Sequence, residues 1–260
     1  MYTETPFRPS AGALRASLPE LSGAGRRLAL RGLMLTLGRL AEVEGVERLG
    51  RVPGPAIFAL NHNNAFESVL APATLIFLRD GRLVHFLADW MYLHLPGVGR
   101  LLRAAEPIPV YRKPARWRLG EAYRLERRRK GSVIEACLSR LEAGGSLGIF
   151  PEGTRNADPR RLLRGRSGLG EIVLRSGAPV VPVGLHYPAA GRLGRAPLLG
   201  RMVLRVGEPL IFREEREAAR GMDEQARMSL ARRVVGRVMA ELEELSGKTC
   251  QPQPFERRAA

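Results

Sequence analysis

The sequence predicts a single α/β domain with a largely parallel or mixed sheet flanked by helices. Short apolar runs typical of buried strands alternate along the chain with segments of helical periodicity, which is the pattern of an α/β domain. Glycines follow the predicted helices at 132–142 and 168–176, as expected where a helix ends. At 260 residues with 45% hydrophobic content, the chain can bury a substantial core.

The N-terminal region is expected to contain a flexible lead-in followed by an amphipathic helix. Residues 1–25 are rich in Pro, Gly, Ser and Ala, and the domain itself is expected over 26–246. Over 26–40, leucines recur at spacings of three and four with arginines opposite them: Leu30, Leu33, Leu37 and Leu40 against Arg27, Arg31 and Arg39. This pattern predicts a membrane-surface helix, although a helix that packs its leucines on its own core fits equally well.

The remaining elements follow in order along the chain. Apolar runs predict strands at 56–60, 83–88, 147–150, 180–185 and 202–206, and a short extended piece at 108–111. Helical patterns occupy 68–78, 132–142, 168–176 and 223–246, the last with Asp223 as its cap and an apolar stripe. Residues 247–260 are expected to form a flexible polar tail.

The composition limits the setting of the protein. No stretch reaches the roughly 18 apolar residues that a spanning helix needs. The first ten residues lack the apolar core of a signal peptide, so we expect no export. The two cysteines, Cys137 and Cys250, show no metal-ligand spacing, which indicates a reducing, cytoplasmic setting.

The net charge of +16 is carried almost entirely by arginine. Such a charge suits three kinds of partner: nucleic acid, an anionic membrane surface, or acidic small molecules and acidic carrier proteins. A GC-rich genome that inflates arginine content accounts for it equally well. The charge alone therefore selects no function.

A histidine and a carboxylate follow the strand at 56–60. His62 and Glu67 are five positions apart, which on a continuous helix turns the side chains about 140° away from each other. They meet only if His62 lies in a turn and Glu67 in the first turn of the next helix. A carboxylate on one imidazole nitrogen then fixes the tautomer and leaves the other nitrogen to accept a proton. By itself, such a pair is often accidental.

A second polar segment begins where the strand at 147–150 ends. Residues 150–155 read Phe-Pro-Glu-Gly-Thr-Arg and offer a carboxylate, a close backbone approach, a hydroxyl and a guanidinium. A guanidinium is well shaped to hold a phosphate through two parallel hydrogen bonds. An ordinary turn with solvated charges explains this segment equally well when it is considered alone.

Together the two segments resemble the PlsC-like lysophosphatidate (1-acylglycerol-3-phosphate) acyltransferase family. Asn61 to Glu67 is similar to the family's His-x4-Asp block, with Glu67 in place of the usual aspartate. Residues 108–112, Ile-Pro-Val-Tyr-Arg, resemble the second block, 150–155 match the third without a gap, and 180–183, Val-Val-Pro-Val, resemble the fourth. Four blocks in family order are far more specific than any one of them.

The resemblance implies a glycerolipid acyltransferase-like fold and an O-acyltransferase of phospholipid biosynthesis. Such an enzyme moves a fatty acyl group from acyl-CoA or acyl carrier protein to the hydroxyl of a lysophospholipid such as lysophosphatidate. His62 is then the catalytic base and Glu67 its partner. The acceptor is held by Arg112, Glu152, Gly153, Thr154 and Arg155. The resemblance implies no metal or cofactor, and it places a bacterial protein peripherally or monotopically on an anionic membrane surface, at the cytoplasmic face of the cell membrane.

Two alternatives stay open. The first alternative is an acyltransferase that acts on another acceptor: glycerol phosphate, a lyso-ornithine lipid or a glycolipid. In another class, the basic segment 111–130 with its interleaved aromatic residues suits single-stranded nucleic acid, although no nucleic-acid motif is present and we expect no such partner. A hydrolase is disfavoured because Ser167 lacks the final glycine of a nucleophile elbow. The other three histidines are interpreted as structural: His85, His94 and His186.

Overall fold

The computed structural model describes residues 6–114, 118–129 and 131–250. Its helices are α1 Pro9–Gly12, α2 Ala24–Thr36, α3 Glu67–Leu78, α4 Val98–Ala104, α5 Arg118–Arg129, α6 Val133–Glu142, α7 Gly168–Ser176, α8 Ala190–Leu193, α9 Arg213–Ala219 and α10 Glu224–Ser246. Its strands are β1 Ala41–Glu44, β2 Ile57–Leu60, β3 Val84–Asp89, β4 Ile108–Val110, β5 Ser146–Ile149, β6 Arg161–Leu162, β7 Val180–His186, β8 Met202–Val206 and β9 Thr249–Cys250.

Seven of these strands form one sheet in the order β1-β8-β7-β2-β5-β3-β4. Neighbouring strands run parallel except β7 and β8, which pair antiparallel. Strands β6 and β9 form a separate small parallel pair. The predicted α/β domain with a largely parallel or mixed sheet flanked by helices is confirmed.

The central strand β2 shows how the sheet separates two cores. Because successive side chains of a strand point to opposite faces, Ile57 and Ala59 pack in one core and Phe58 and Leu60 in the other. Helices α6, α7 and α10 cover the first face, whereas α2 and α3 cover the second. Both faces of the strand are thus buried, and so is Asn61, which follows its carboxyl end.

The N-terminal helix packs its apolar face on the protein itself. It ends at Thr36, a 3₁₀ turn follows over Leu37–Leu40, and Leu30 and Met34 are buried in the core. The arginines opposite bind neighbouring backbone; Arg31, for example, donates from Nε to the carbonyl oxygen of Ala16 at 2.8 Å. Leu33, Leu37 and Leu40 are partly buried against the same core, so the leucine stripe that was predicted to lie on a membrane packs largely on the protein itself. None of the helices in the described ranges is long and apolar enough to cross a membrane.

The predicted lead-in and tail are also corrected where the structure describes them. Ala13, Leu18 and Leu21 are buried, so much of 6–25 is part of the packed domain. At the other end, β9 pairs with β6 and Lys248 is only 7% exposed. Residues 1–5 and 251–260 of these two segments lie outside the described residues, as does Trp117 of the basic segment.

Candidate active site

His62 and Glu67 lie at the carboxyl end of β2. His62 is in the turn that leaves the strand, and Glu67 is the first residue of α3. Nδ1 of His62 is 3.2 Å from Oε2 of Glu67. The strand, turn and helix predicted from the five-residue spacing therefore bring the two side chains into contact.

The carboxylate of Glu67 is fully buried and is held by the His62 turn, residues 61–66. Its Oε2 accepts from the backbone amides of Asn63 at 2.6 Å and Asn64 at 3.3 Å. Its Oε1 accepts from Nδ2 of Asn63 at 2.5 Å. Both oxygens are thus engaged, which holds the carboxylate in one orientation against the imidazole.

Asn64 ties the His62 turn to two other parts of the chain. Its Oδ1 accepts from the amides of Phe66 at 2.8 Å and Glu67 at 3.2 Å, at the start of α3. Its Nδ2 donates to the hydroxyl of Tyr187 at 3.0 Å and to the carbonyl oxygen of Pro197 at 2.8 Å. Burial first, and then the charge of Glu67, raise the pKa of Tyr187. Tyr187 therefore serves this network as a neutral hydroxyl.

The imidazole of His62 rests on a residue of the neighbouring strand segment. The rings of His62 and Phe150 stack with centroids 4.0 Å apart and an angle of 18° between their planes. Phe150 follows β5, which pairs with β2 in parallel register. The two polar segments, 61–67 after β2 and 150–155 after β5, therefore meet at one edge of the sheet, because the carboxyl ends of parallel strands lie at the same edge.

Glu152 is buried and does not line the cavity beside His62. Its Oε1 accepts from the backbone amide of His62 at 2.8 Å, and its Oε2 accepts from the amide of Leu163 at 2.8 Å. Burial raises the pKa of Glu152, and these hydrogen bonds act against that rise. Glu152 was predicted to hold the acceptor, but its carboxylate lies outside the cavity lining and braces the backbone on which His62 stands.

A cavity of about 1120 Å³ opens beside His62. Its wall is mostly apolar and comes from several helices and strands, including Leu30, Leu33, Val69, Ile76 and Leu169. Three exposed leucines also line it: Leu95, Leu198 and Leu199. A long apolar group and a polar reacting group can therefore be accommodated side by side at His62.

Basic side chains line the same cavity beside the second polar segment. Four residues that were predicted to hold the acceptor line it: Arg112, Gly153, Thr154 and Arg155. Nη2 of Arg155 donates to the hydroxyl of Tyr92 at 2.8 Å. Gly153 has a φ of +67°, a conformation that favours glycine, and a Cβ there would lie 2.5 Å from Nε of Arg166. These groups suit an anion such as a phosphate.

Four residues of this site were not predicted from the sequence: Asn63, Tyr187, Arg166 and Lys248. Arg166 lines the cavity, and its position before Ser167-Gly168 in a basic segment was its only sequence signal. The other three contribute through contacts between distant parts of the chain. Across the residues that the structure describes, no group of three or more His, Cys, Asp or Glu side chains is arranged to hold a metal ion.

Comparisons with known proteins support this fold and assign the chain to a family. A family model described as Acyltransferase matches residues 41–186, more than half of the chain. The chain is 26% identical over 144 residues to a chloroplastic 1-acyl-sn-glycerol-3-phosphate acyltransferase of Brassica napus, covering 55% of this chain and 36% of that protein. It is 33% identical over 128 residues to the 1-acyl-sn-glycerol-3-phosphate acyltransferase of Bacillus subtilis (strain 168), covering 49% of this chain and 54% of that protein. It thus spans about a third to a half of these curated relatives.

A solved structure shows the same architecture. The crystal structure of the 1-acyl-sn-glycerophosphate (LPA) acyltransferase PlsC from Thermotoga maritima superposes with a TM-score of 0.54 at 20% identity, over 90% of this chain and 88% of that one. The fold is therefore the α/β fold of PlsC-like glycerolipid acyltransferases. The chain belongs to the acyltransferase family, and the family resemblance of its four sequence blocks is confirmed.

Proposed function

We propose that the protein transfers a fatty acyl group from an acyl thioester to the hydroxyl of a lysophospholipid such as lysophosphatidate, in phospholipid biosynthesis. The observation that carries this proposal is the contact of 3.2 Å between His62 and a buried carboxylate at the wall of an apolar cavity. The names of the curated relatives support acyl transfer to 1-acyl-sn-glycerol-3-phosphate.

The proposed reaction uses His62 first as a base and then as an acid. With Nδ1 held by Glu67, Nε2 takes the proton of the acceptor hydroxyl while the oxygen attacks the thioester carbonyl. The tetrahedral intermediate then expels the thiolate, which receives the proton from Nε2. Glu67 keeps the tautomer and stabilises the imidazolium, as the aspartate does in a serine protease triad.

The acceptor phosphate is proposed to bind at the basic side of the cavity. Arg112, Arg155 and Arg166 all line the cavity and are exposed to solvent. The bond from Arg155 to Tyr92 orients one guanidinium before substrate arrives, which lowers the ordering cost of binding. Thr154 and Gly153 line the same cavity and can add a hydroxyl and a backbone amide to the contacts with the phosphate.

The acyl chain is proposed to lie in the apolar part of the cavity, with acyl-CoA or acyl carrier protein as the donor. The exposed Leu198 and Leu199 at the cavity suit contact with a membrane, from which a lysophospholipid must be drawn. The protein is accordingly proposed to lie on an anionic membrane surface, at the cytoplasmic face of the cell membrane. The chemistry as written requires no resident metal or cofactor.

The test is an acyl-transfer assay with one radiolabelled acyl thioester and a panel of acceptors. The panel contains lysophosphatidate, glycerol phosphate, a lyso-ornithine lipid and a lysoglycolipid. We expect transfer to lysophosphatidate, and we expect His62→Ala to abolish it in a protein that still folds, since alanine keeps the backbone hydrogen bonds of the turn to Glu152 and Glu67. A His62→Ala protein that retains near-normal turnover would disprove the proposed mechanism.

A further inference from the structure

Lys248 is a buried cation that reaches the site from the far end of the chain. It follows α10, whose C-cap residue Gly247 has a φ of 69°, and it precedes β9. The amide of Thr249 donates to the carbonyl oxygen of Arg160 at 2.8 Å, and β9 pairs with β6. Helix end and strand pair together direct Lys248 inward, where it is only 7% exposed.

The ammonium of Lys248 contacts the residue that binds Glu67. Its Nζ donates to Oδ1 of Asn63 and, at 2.7 Å, to the carbonyl oxygen of Asp158. An amide whose oxygen faces a cation must present its NH₂ group in the other direction. In Asn63 that group donates to Oε1 of Glu67. A chain of hydrogen bonds thus runs from Lys248 through Asn63 and Glu67 to His62.

Lys248 also balances buried negative charge. Glu67 is 0% exposed and Glu152 is 2% exposed, and a buried carboxylate is costly unless a cation or donors compensate it. Burial lowers the pKa of Lys248, while the charges of Glu152, Glu67 and Asp158 act in the opposite direction. Burial lowers the pKa of His186, and the charge of Lys248 lowers it further by a smaller amount.

We propose that Lys248 is a positioning residue of the acyl-transfer reaction, which orients Asn63 and Glu67 and supplies the positive charge that balances the His62–Glu67 pair. The inference rests on the proposed function, since it assigns Lys248 a role in the same site. Lys248 lies outside residues 41–186, the part that the family model matches. The C-terminal segment thereby contributes to a site whose His62–Glu67 pair lies near the start of the chain.

The test compares Lys248→Met, which removes charge and donor, with Lys248→Gln, which keeps a donor for Asn63. Thr249→Ala is the matched control, because its exposed side chain leaves the backbone of β9 in place. We expect both Lys248 variants to lose about tenfold or more in kcat with KM within twofold. A removed cation favours protonation of nearby groups, so the acidic limb of the kcat/KM profile should move up by about one pH unit. The charged and titratable groups that face this position are Glu67, Glu152, Asp158 and His186.

A measurement without turnover separates this inference from the proposed function. The protein has four histidines, so the His62 ring signal can be assigned in the NMR spectrum by comparison with His62→Gln. The chemical shift of this ring signal should change in both Lys248 variants and stay at the wild-type position in Thr249→Ala, even if the acceptor differs from lysophosphatidate, because the Asn63–Glu67 pair behind the ring is reoriented. An unchanged ring signal in the folded Lys248 variants would show that Lys248 only fastens the C-terminus. Failure of both variants to fold counts against the proposal too, since a positioning role predicts a folded but slow enzyme.

Discussion

Glu67 lies directly behind His62, with its Oε2 3.2 Å from Nδ1 of the ring and 2.6 Å from the amide nitrogen of Asn63. One carboxylate oxygen therefore orients the imidazole and holds the turn that carries it. Since the side chain of Glu67 has no exposure to solvent, water cannot take over its hydrogen bonds when the residue is substituted. Substitutions at Glu67 therefore test the geometry of the whole site.

Replacing Glu67 with glutamine should lower kcat by about 10²–10³, because the neutral amide no longer stabilises the imidazolium. Both carboxylate oxygens accept hydrogen bonds, so the NH₂ group of glutamine would face another donor and one of these bonds would be lost. This loss should lower the melting temperature by several degrees. Turnover is measured at saturating acceptor and unfolding by calorimetry. Full activity of this variant would leave His62 without the partner assigned to it.

Glu67→Asp restores the residue usual in the family block but shortens the side chain by one methylene. Because three donors of the His62 turn already converge on the longer carboxylate, we expect the shorter one to fall short of Nδ1 and to cost about tenfold or more in kcat. Comparing kcat of Glu67→Asp with that of Glu67→Gln separates the effect of side-chain length from the effect of charge. Aspartate that performs as well as glutamate would mean that the turn can close on the shorter residue.

Replacing Glu152 with alanine should destabilise the protein and impair turnover together. The amides of His62 and Leu163 lose their acceptor, at about 1–3 kcal/mol for each donor left without a partner. A denaturant titration measures the loss, and steady-state kinetics should show a lower kcat with little change in KM for the acceptor. A change confined to KM in a protein of normal stability would return Glu152 to the acceptor site, as the sequence predicted.

Arg155→Ala should raise KM at least tenfold for a phosphate-bearing acceptor and much less for an acceptor without phosphate. Arg155→Lys should recover little, since an ammonium cannot reproduce the planar fork. Tyr92→Phe is the accompanying control, because it keeps the ring and removes only the hydroxyl that Arg155 binds. Equal KM values for every acceptor in Arg155→Ala would place the phosphate elsewhere.

The double substitution of Leu198 and Leu199 by serine should weaken binding to anionic liposomes by at least tenfold. Each leucine is more than 60% exposed, and its transfer to an apolar environment is worth about 1.5–3 kcal/mol when complete. Leu193→Ser is the matched control, since Leu193 is 57% exposed but does not line the cavity. Sedimentation of both proteins as well as the wild type would exclude this surface from membrane contact.

Much of the fold and the central pair of the site could be predicted because they depend on local pattern. Alternating strands and helices define the α/β class through side-chain period, and the His62–Glu67 contact spans only five residues, within which a strand, a turn and a helix leave few geometries. The order of the four blocks added the family. These properties require no knowledge of which distant segments meet.

The tertiary structure alone decided the role of three features. The sequence pattern of an amphipathic helix is the same whether its leucines face a bilayer or a protein core. Only the structure showed that Leu30 packs in the core. Glu152 looked like a substrate ligand until its oxygens were found on two backbone amides. Lys248 meets Asn63 across 185 positions of sequence. Buried polar groups bind whichever partners lie close to them in space. Contacts between residues far apart in the chain leave no periodic pattern in the sequence, so they could not be predicted from it.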